Sequence, residues 1–285
     1  MLSYQHAFHA GNSADVLKHW TVCLCADYMI QKDKPFWYLD THSGAGIYDL
    51  AGAEAQKTNE AHHGIHVMLR ESEEKLPEAL HLYLRLVKRL QAKHPHHYPG
   101  SPWFAQQILR PQDKLRLFEL HPKDHQHLEK HFRQDRRCRI EKADGHHGLK
   151  ALLPPPPKRA LILIDPPYEQ EKEYNEVIKS ITESLKRFAT GTYIVWYPLI
   201  QRASTQGRNK SGSAENMLKQ LKRTHSDWLN VQFCPDTRIQ GMFGSGLFII
   251  NPPWLLAEQL QKGLTALAHY LGQDTHSRIS IESNN

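Results

Sequence analysis

The sequence predicts an α/β protein whose sheet is wound by helices, and three observations lead there. Seven short apolar runs rich in β-formers alternate with segments of helical period. Four of those runs end in an acidic residue, as strands do when their carboxyl ends face a ligand. At 285 residues the chain is long enough to bury a sheet between two helical layers.

In chain order, "SADVLKHWTVCLCADYMIQ" (13–31) opens the pattern as a helix with Asn12 or Ser13 as its cap. The first strand, "FWYLD" (36–40), runs into "DTHSGAG", where Gly44 and Gly46 permit a tight turn and close backbone approach. About 75 residues then separate Asp40 from the next strand, where an ordinary βα unit needs roughly 30. The excess contains "PEALHLYLRLVKRLQAK", an amphipathic helix, so a small helical insertion is expected over residues 50–98. "SPWFAQQILR" (101–110) follows as a helix, with Ser101 as N-cap and Pro102 at its first position.

The remaining strands are "LRLFEL" (115–120), "CRIEKAD" (138–144), "ALILID" (160–165), "TYIVWYP" (192–198), "LNVQFCP" (229–235) and "GLFIINP" (246–252). Residues 1–49 and 99–271 therefore make the core, 50–98 the insertion, and 272–285 a flexible tail with nothing to bury. The polar, Gly- and Ser-rich stretch 201–216 also reads as mobile.

Composition narrows the function. Lys and Arg number 36 against 30 Asp and Glu, the isoelectric point is near 9.0, and 20 histidines can add charge beside a polyanion. That balance suits nucleic acid without requiring it. Cys23, Cys25, Cys138 and Cys234 form no C-x-x-C pair and read as reduced thiols. No apolar leader and no run of about 18 apolar residues is present, so a cytoplasmic protein without a membrane segment is expected.

The glycine turn alone leaves an ordinary turn and a ligand loop equally open. A dinucleotide would want a third glycine where Asp49 stands, and an acid on a second strand about 20 positions on, whereas Glu60 lies in no strand. The acid at a true second strand end is Glu119. With Glu119 accepting from ribose hydroxyls, Asp144 from an adenine amino group and Gly44 under an amino-acid moiety, the layout suits S-adenosylmethionine.

"DPPY" at 165–168 carries the chemistry. Two prolines halt the strand, remove two N–H donors and stiffen the chain behind Asp165. The Asp165 carboxylate and the Pro166 carbonyl are then two fixed acceptors for the hydrogens of an adenine amino group, and Tyr168 is expected to stack on the base. Asp165 is the candidate to take the surplus proton.

"NPPW" at 251–254 has the same shape. It is assigned instead to the end of a far-edge strand with a packed indole, because only residue 165 follows the cofactor-binding strands directly. The histidine pairs of "HLEKH", with His127 and His131 four apart, lack an acid or cysteine to complete a metal site, and no metal is expected. "HPHHY" and "HHG" read as surface composition or as contacts to phosphates. "RQDRRCR" (133–139) reads equally as a solvated helix end or a phosphate-contacting patch.

The blocks "YQHAFHAGNSADVLKH", "YLDTHSGAG", "YPGSP", "FELHP", "KADG", "LILIDPPYE" and "INPPW", in this order, resemble the RlmJ family over roughly residues 1–255. The resemblance implies a Rossmann-like S-adenosylmethionine-dependent methyltransferase fold with a seven-stranded mixed sheet and an inserted helical subdomain. It also implies a monomeric enzyme that methylates N6 of one adenine in 23S ribosomal RNA, the adenine-2030 type of activity. It places Lys18, His19, His42, Ser101, Glu119, Asp144 and Gly145 at the cofactor, Asp165 at catalysis and Tyr4 at the RNA. On their pattern alone, Asp15, Lys18 and His19 read as a solvated helix face. Two alternatives stay open: a DNA adenine-N6 methyltransferase, and a non-catalytic RNA-binding protein on the same fold.

Overall fold

The computed structural model describes residues 5–201 and 212–284. The chain opens with α1 (Ser13–Ile30), β1 (Trp37–Asp40) and β2 (Ile47–Asp49). Then come α2 (Ala53–Thr58), α3 (Ile65–Arg70), α4 (Glu78–Gln91), β3 (His97–Pro99) and α5 (Ser101–Ile108). Alternation follows with β4 (Lys114–Phe118), α6 (Pro122–Phe132), β5 (Cys138–Glu141), α7 (Gly145–Leu152), β6 (Ala160–Ile164), α8 (Glu171–Arg187) and β7 (Thr192–Gln201). The chain closes with α9 (Ser213–Leu221), β8 (Trp228–Cys234), β9 (Gly241–Ile250), α10 (Leu256–Leu271) and β10 (Arg278–Ser283).

Eight strands form one sheet in the order β10-β8-β9-β7-β6-β1-β4-β5. The five strands from β7 to β5 are parallel neighbours, whereas β9 runs antiparallel to both β7 and β8. This is the expected Rossmann-like methyltransferase fold, with eight strands in place of seven and a separate β2–β3 pair.

The extra strand is β10. Residues 278–283 pair antiparallel with β8 across six positions, so the segment expected to be a flexible tail is an edge strand. Its alternating sequence "RISIES" exposes every second residue, which suits an edge with one face on the core. The expected edge position of "FIINPP" is also corrected, because β9 lies between β8 and β7.

The all-apolar "ALILI" of β6 is explained by burial on both faces. Leu161 and Leu163 pack with α1, α4 and α10 residues such as Trp20, Leu84 and Leu264, while Ile162 and Ile164 pack with Val177 and Ile181 of α8 and Met217 of α9. Helix α4 has the amphipathic face expected of "PEALHLYLRLVKRLQ", burying Leu80, Tyr83, Leu84, Val87 and Leu90. Asn12 caps α1 by accepting from the Asp15 amide at 2.9 Å. No helix among the described residues is long and apolar enough to cross a membrane. All four cysteines are free thiols.

Candidate active site

Because β1, β4, β5 and β6 are parallel neighbours, their carboxyl ends share one edge of the sheet, where Asp40, Glu119, Asp144 and Asp165 stand. A cavity of about 480 Å³ opens there, lined by Glu119, Asp144, Asp165 and the 42–44 turn. That volume suits a nucleoside-sized ligand.

The glycine turn is a built feature. Gly44 has φ of +59°, and a Cβ there would lie 2.1 Å from the Tyr48 hydroxyl oxygen, so only glycine fits. The Gly44 N–H donates to Glu119 Oε2 at 2.8 Å, and the His121 N–H donates to Oε1 at 2.7 Å. Even so, burial pushes the Glu119 carboxyl up to about 7. Asp144 caps α7 by accepting from the His146 amide at 2.8 Å, and its neighbour Gly145 packs against Thr41 so closely that a Cβ would meet the Thr41 carbonyl at 2.2 Å. His42 lies beside His146, ring centres 5.3 Å apart, and burial with that neighbour lowers it to about 3, so its ring is neutral. His146 Nδ1 is buried and has no partner among the described residues.

Asp40 is wholly buried and turns away from a ligand role. Tyr38 Oη donates to it at 2.9 Å and Ser101 Oγ at 2.6 Å, and burial raises it to about 6. Ser101 is therefore not the cap expected of it: Gly100 precedes the helix, and the Ser101 hydroxyl locks α5 to the end of β1.

Asp165 is the end of a buried charge chain. Lys18 Nζ donates to its Oδ2 at 2.6 Å and to Asp15 Oδ1 at 2.9 Å. Asp15 Oδ2 also receives the Gly11 N–H and His6 Nε2, each at 2.9 Å. Burial alone would raise Asp15, but His6 and Lys18 outweigh it and hold the carboxyl well below its usual range. The expected solvated face is thus a correction: Asp15, Lys18 and His19 are 1–4% exposed, and His19 Nδ1 is spent on the Tyr98 hydroxyl at 2.8 Å. Pattern reading missed Asp15, although its i, i+3 spacing to Lys18 was a visible signal.

Tyr168 departs from its expected role. It lines the cavity but is 3% exposed, packed 4.4 Å from the Tyr174 ring and hydrogen-bonded to the Trp196 carbonyl at 2.8 Å, so the ring is held mainly by the core. Pro166 lines the cavity beside Asp165. Tyr4 and residues 202–211 of the expected mobile loop lie outside the described residues.

The look-alike motif is at the other end of the sheet. Since β9 is antiparallel to β7, Asn251 emerges next to the start of β7, where its amide donates to the Ala189 and Gly191 carbonyls at 2.7 Å each. Trp254, expected to be packed, is 88% exposed. Of the basic cluster, Arg137 is committed to structure: it holds Asp135 and donates to the Gln106 and Leu109 carbonyls. Among the described residues no group of three or more His, Cys, Asp or Glu is placed to hold a metal ion.

The profile of the family described as "Ribosomal RNA large subunit methyltransferase D, RlmJ" matches residues 33–281. The chain is similar to ribosomal RNA large subunit methyltransferase J of Escherichia coli (strain K12), 44% identical over 93% of this chain and 92% of that protein. Its similarity to the protein of the same name from Haemophilus influenzae is 42% identity over 99% and 98%. The crystal structure of a Legionella pneumophila protein superposes with a TM-score of 0.87 at 38% identity, covering 96% of this chain and 98% of that one.

Proposed function

We propose, from the premise that the chain belongs to the RlmJ family of ribosomal RNA large subunit methyltransferases, that it transfers a methyl group from S-adenosylmethionine to N6 of one adenine in 23S ribosomal RNA. The observation that carries this reading is Asp165. It lines the cavity beside Pro166 at the carboxyl end of β6, with its Oδ2 fixed by Lys18 at 2.6 Å.

The residues present fit the cofactor. Glu119 has both oxygens oriented by backbone amides and spare lone pairs for a ribose diol. Asp144 suits an adenine amino group, and the buried, unpartnered His146 Nδ1 beside neutral His42 indicates that a polar ligand completes this end of the cavity. Gly44 and Gly145 let the two cavity loops pack tightly on Tyr48 and Thr41, and Lys18, His19 and Ser101 line the cavity on the side toward α1 and α5. When bound, the cofactor supplies an electrophilic methyl group on a sulfonium.

What the chain contributes is position and a proton acceptor. An adenine amino group is a weak nucleophile because its lone pair is delocalised into the ring. Asp165 Oδ1 and the Pro166 carbonyl hold its two hydrogens, which favours the pyramidal nitrogen that can attack. Lys18 keeps the Asp165 carboxylate from rotating away, and Asp15 keeps Lys18 in place. As the N–C bond forms, Asp165 accepts the surplus proton. The Tyr168 ring, anchored through its hydroxyl, sets the path of the chain behind the motif.

Incubation of the protein with methyl-labelled cofactor and a 23S rRNA transcript, followed by nuclease digestion and mass spectrometry, is expected to give N6-methyladenosine at one site. Label on another atom, or on duplex DNA in preference to RNA, would overturn the assignment.

A further inference from the structure

The histidines set aside as surface composition are not scattered. His62 and His63 stack edge-on with ring centres 5.4 Å apart, and His66 lies 6.4 Å from His62 on the first turn of α3. Across the insertion, His94 and His97 approach to 5.3 Å in the segment leading into β3, with His96 exposed between them. The first group reaches the second through His66, which feels the charge of His62, Arg70 and His96. The second reaches α6 through His131, which feels Lys130, His127, His97 and His94.

The strip also reaches the cavity from two sides. Helix α6 begins at His121, a cavity residue, and carries His127, Lys130 and His131 away from it. On the other side His9, also a cavity residue, holds Glu60 at the start of the turn that bears His62 and His63. Acids nearby are largely engaged. Glu60 is held by His9 and Asn12, Glu54 by Lys123 and Glu129 by His125. Asp49 faces His97 across the β2–β3 pair and receives the Ala51 amide.

We infer that this histidine strip is the surface that receives the sugar-phosphate backbone of the RNA flanking the target adenine. The inference rests on the reading of the chain as an RNA methyltransferase. Imidazoles crowded together repel one another once charged. Burial first, and like charges second, hold His66 and His131 below the ordinary histidine value. Phosphates reverse that balance. Each protonated imidazole gains a counter-charge, so RNA binding takes up protons and tightens as pH falls. Contacts of this kind fix position on the backbone and carry no base preference.

Two variants test it: His94→Gln/His96→Gln/His97→Gln, and His127→Gln/His131→Gln. Because most of these side chains are solvent-exposed, at least one variant is expected to fold as the wild type does, as checked by circular dichroism. Binding to a fluorescent 23S rRNA hairpin is measured by anisotropy at pH 6 and pH 8 over a salt series. The wild type should tighten by about tenfold from pH 8 to pH 6, and each variant should lose most of that gain. The log–log salt slope should fall by about 0.7–0.9 for every phosphate contact removed. In turnover the RNA KM should rise, with kcat and cofactor affinity unchanged. A variant with wild-type RNA affinity, salt slope and pH response overturns the strip. A wild type that methylates no RNA overturns the functional reading instead.

Discussion

Two segments of this chain have the same written form and opposite fates. Residues 164–168 and 250–254 both end an apolar strand with an amide- or acid-bearing residue, two prolines and an aromatic, and both use a positive φ, 51° at Tyr168 and 50° at Asn251. At the first, the carboxylate points to a cavity and the aromatic is buried. At the second, the amide is consumed by two backbone carbonyls and the aromatic is 88% exposed. The difference is strand direction. β6 runs with β1 and β4, so its end joins theirs, while β9 runs against β7 and delivers its end to the opposite edge. Strand order, which favoured residue 165 from sequence, separates the two motifs only in part, because direction decides which of them meets the cavity.

The contrast breaks first at Asp165. Asp165→Ala should lower kcat by about 10²–10³-fold while the protein stays folded, because Lys18 retains Asp15 as its partner. Single-turnover methylation with thermal unfolding alongside reads both halves, and a fully active variant would sink the assignment. Asn251→Ala should do the reverse. It removes two hydrogen bonds and the residue best suited to a left-handed backbone, so a loss of about 2–3 kcal/mol in urea unfolding is expected, with kcat per folded molecule unchanged.

A smaller effect sits with the acids of the cavity. Burial holds Glu119 at about 7 and Asp40 at about 6, both above their unfolded values. Their stabilising protonation is complete below the unfolded values of about 4 and is lost progressively as pH rises from there to the folded values of about 6 and about 7. Glu119→Gln should therefore gain about 2 kcal/mol over the wild type between pH 5 and pH 8 without cofactor. It should also weaken cofactor binding at pH 8 by calorimetry. Least of all, Trp254→Ser should shift stability by less than about 0.5 kcal/mol, since the indole touches little.

Much of the fold was legible because its signals are local. The helical period of α4, the Asn12 cap and the two-faced apolar run of β6 are written in consecutive residues. The acids at four strand ends were legible too, since each directly follows its own strand. The tail was misread for the complementary reason: "RISIES" gains its structure only from pairing with β8, more than 40 residues earlier in the chain. Ser101 and Tyr168 were given roles their types permit, but Asp40 and the Trp196 carbonyl claimed their hydroxyls first.

The sequence by itself thus determined the alternation of elements, the acidic strand ends and the D-P-P-Y stop, because period, capping and proline sterics act over a few residues. Only the tertiary structure decided which end of the sheet each motif reaches and which polar groups stay available for a ligand. Direction and burial are properties of the packed sheet. The Asp165–Lys18–Asp15 chain joins residues 147 apart in sequence, and no local pattern could have written it.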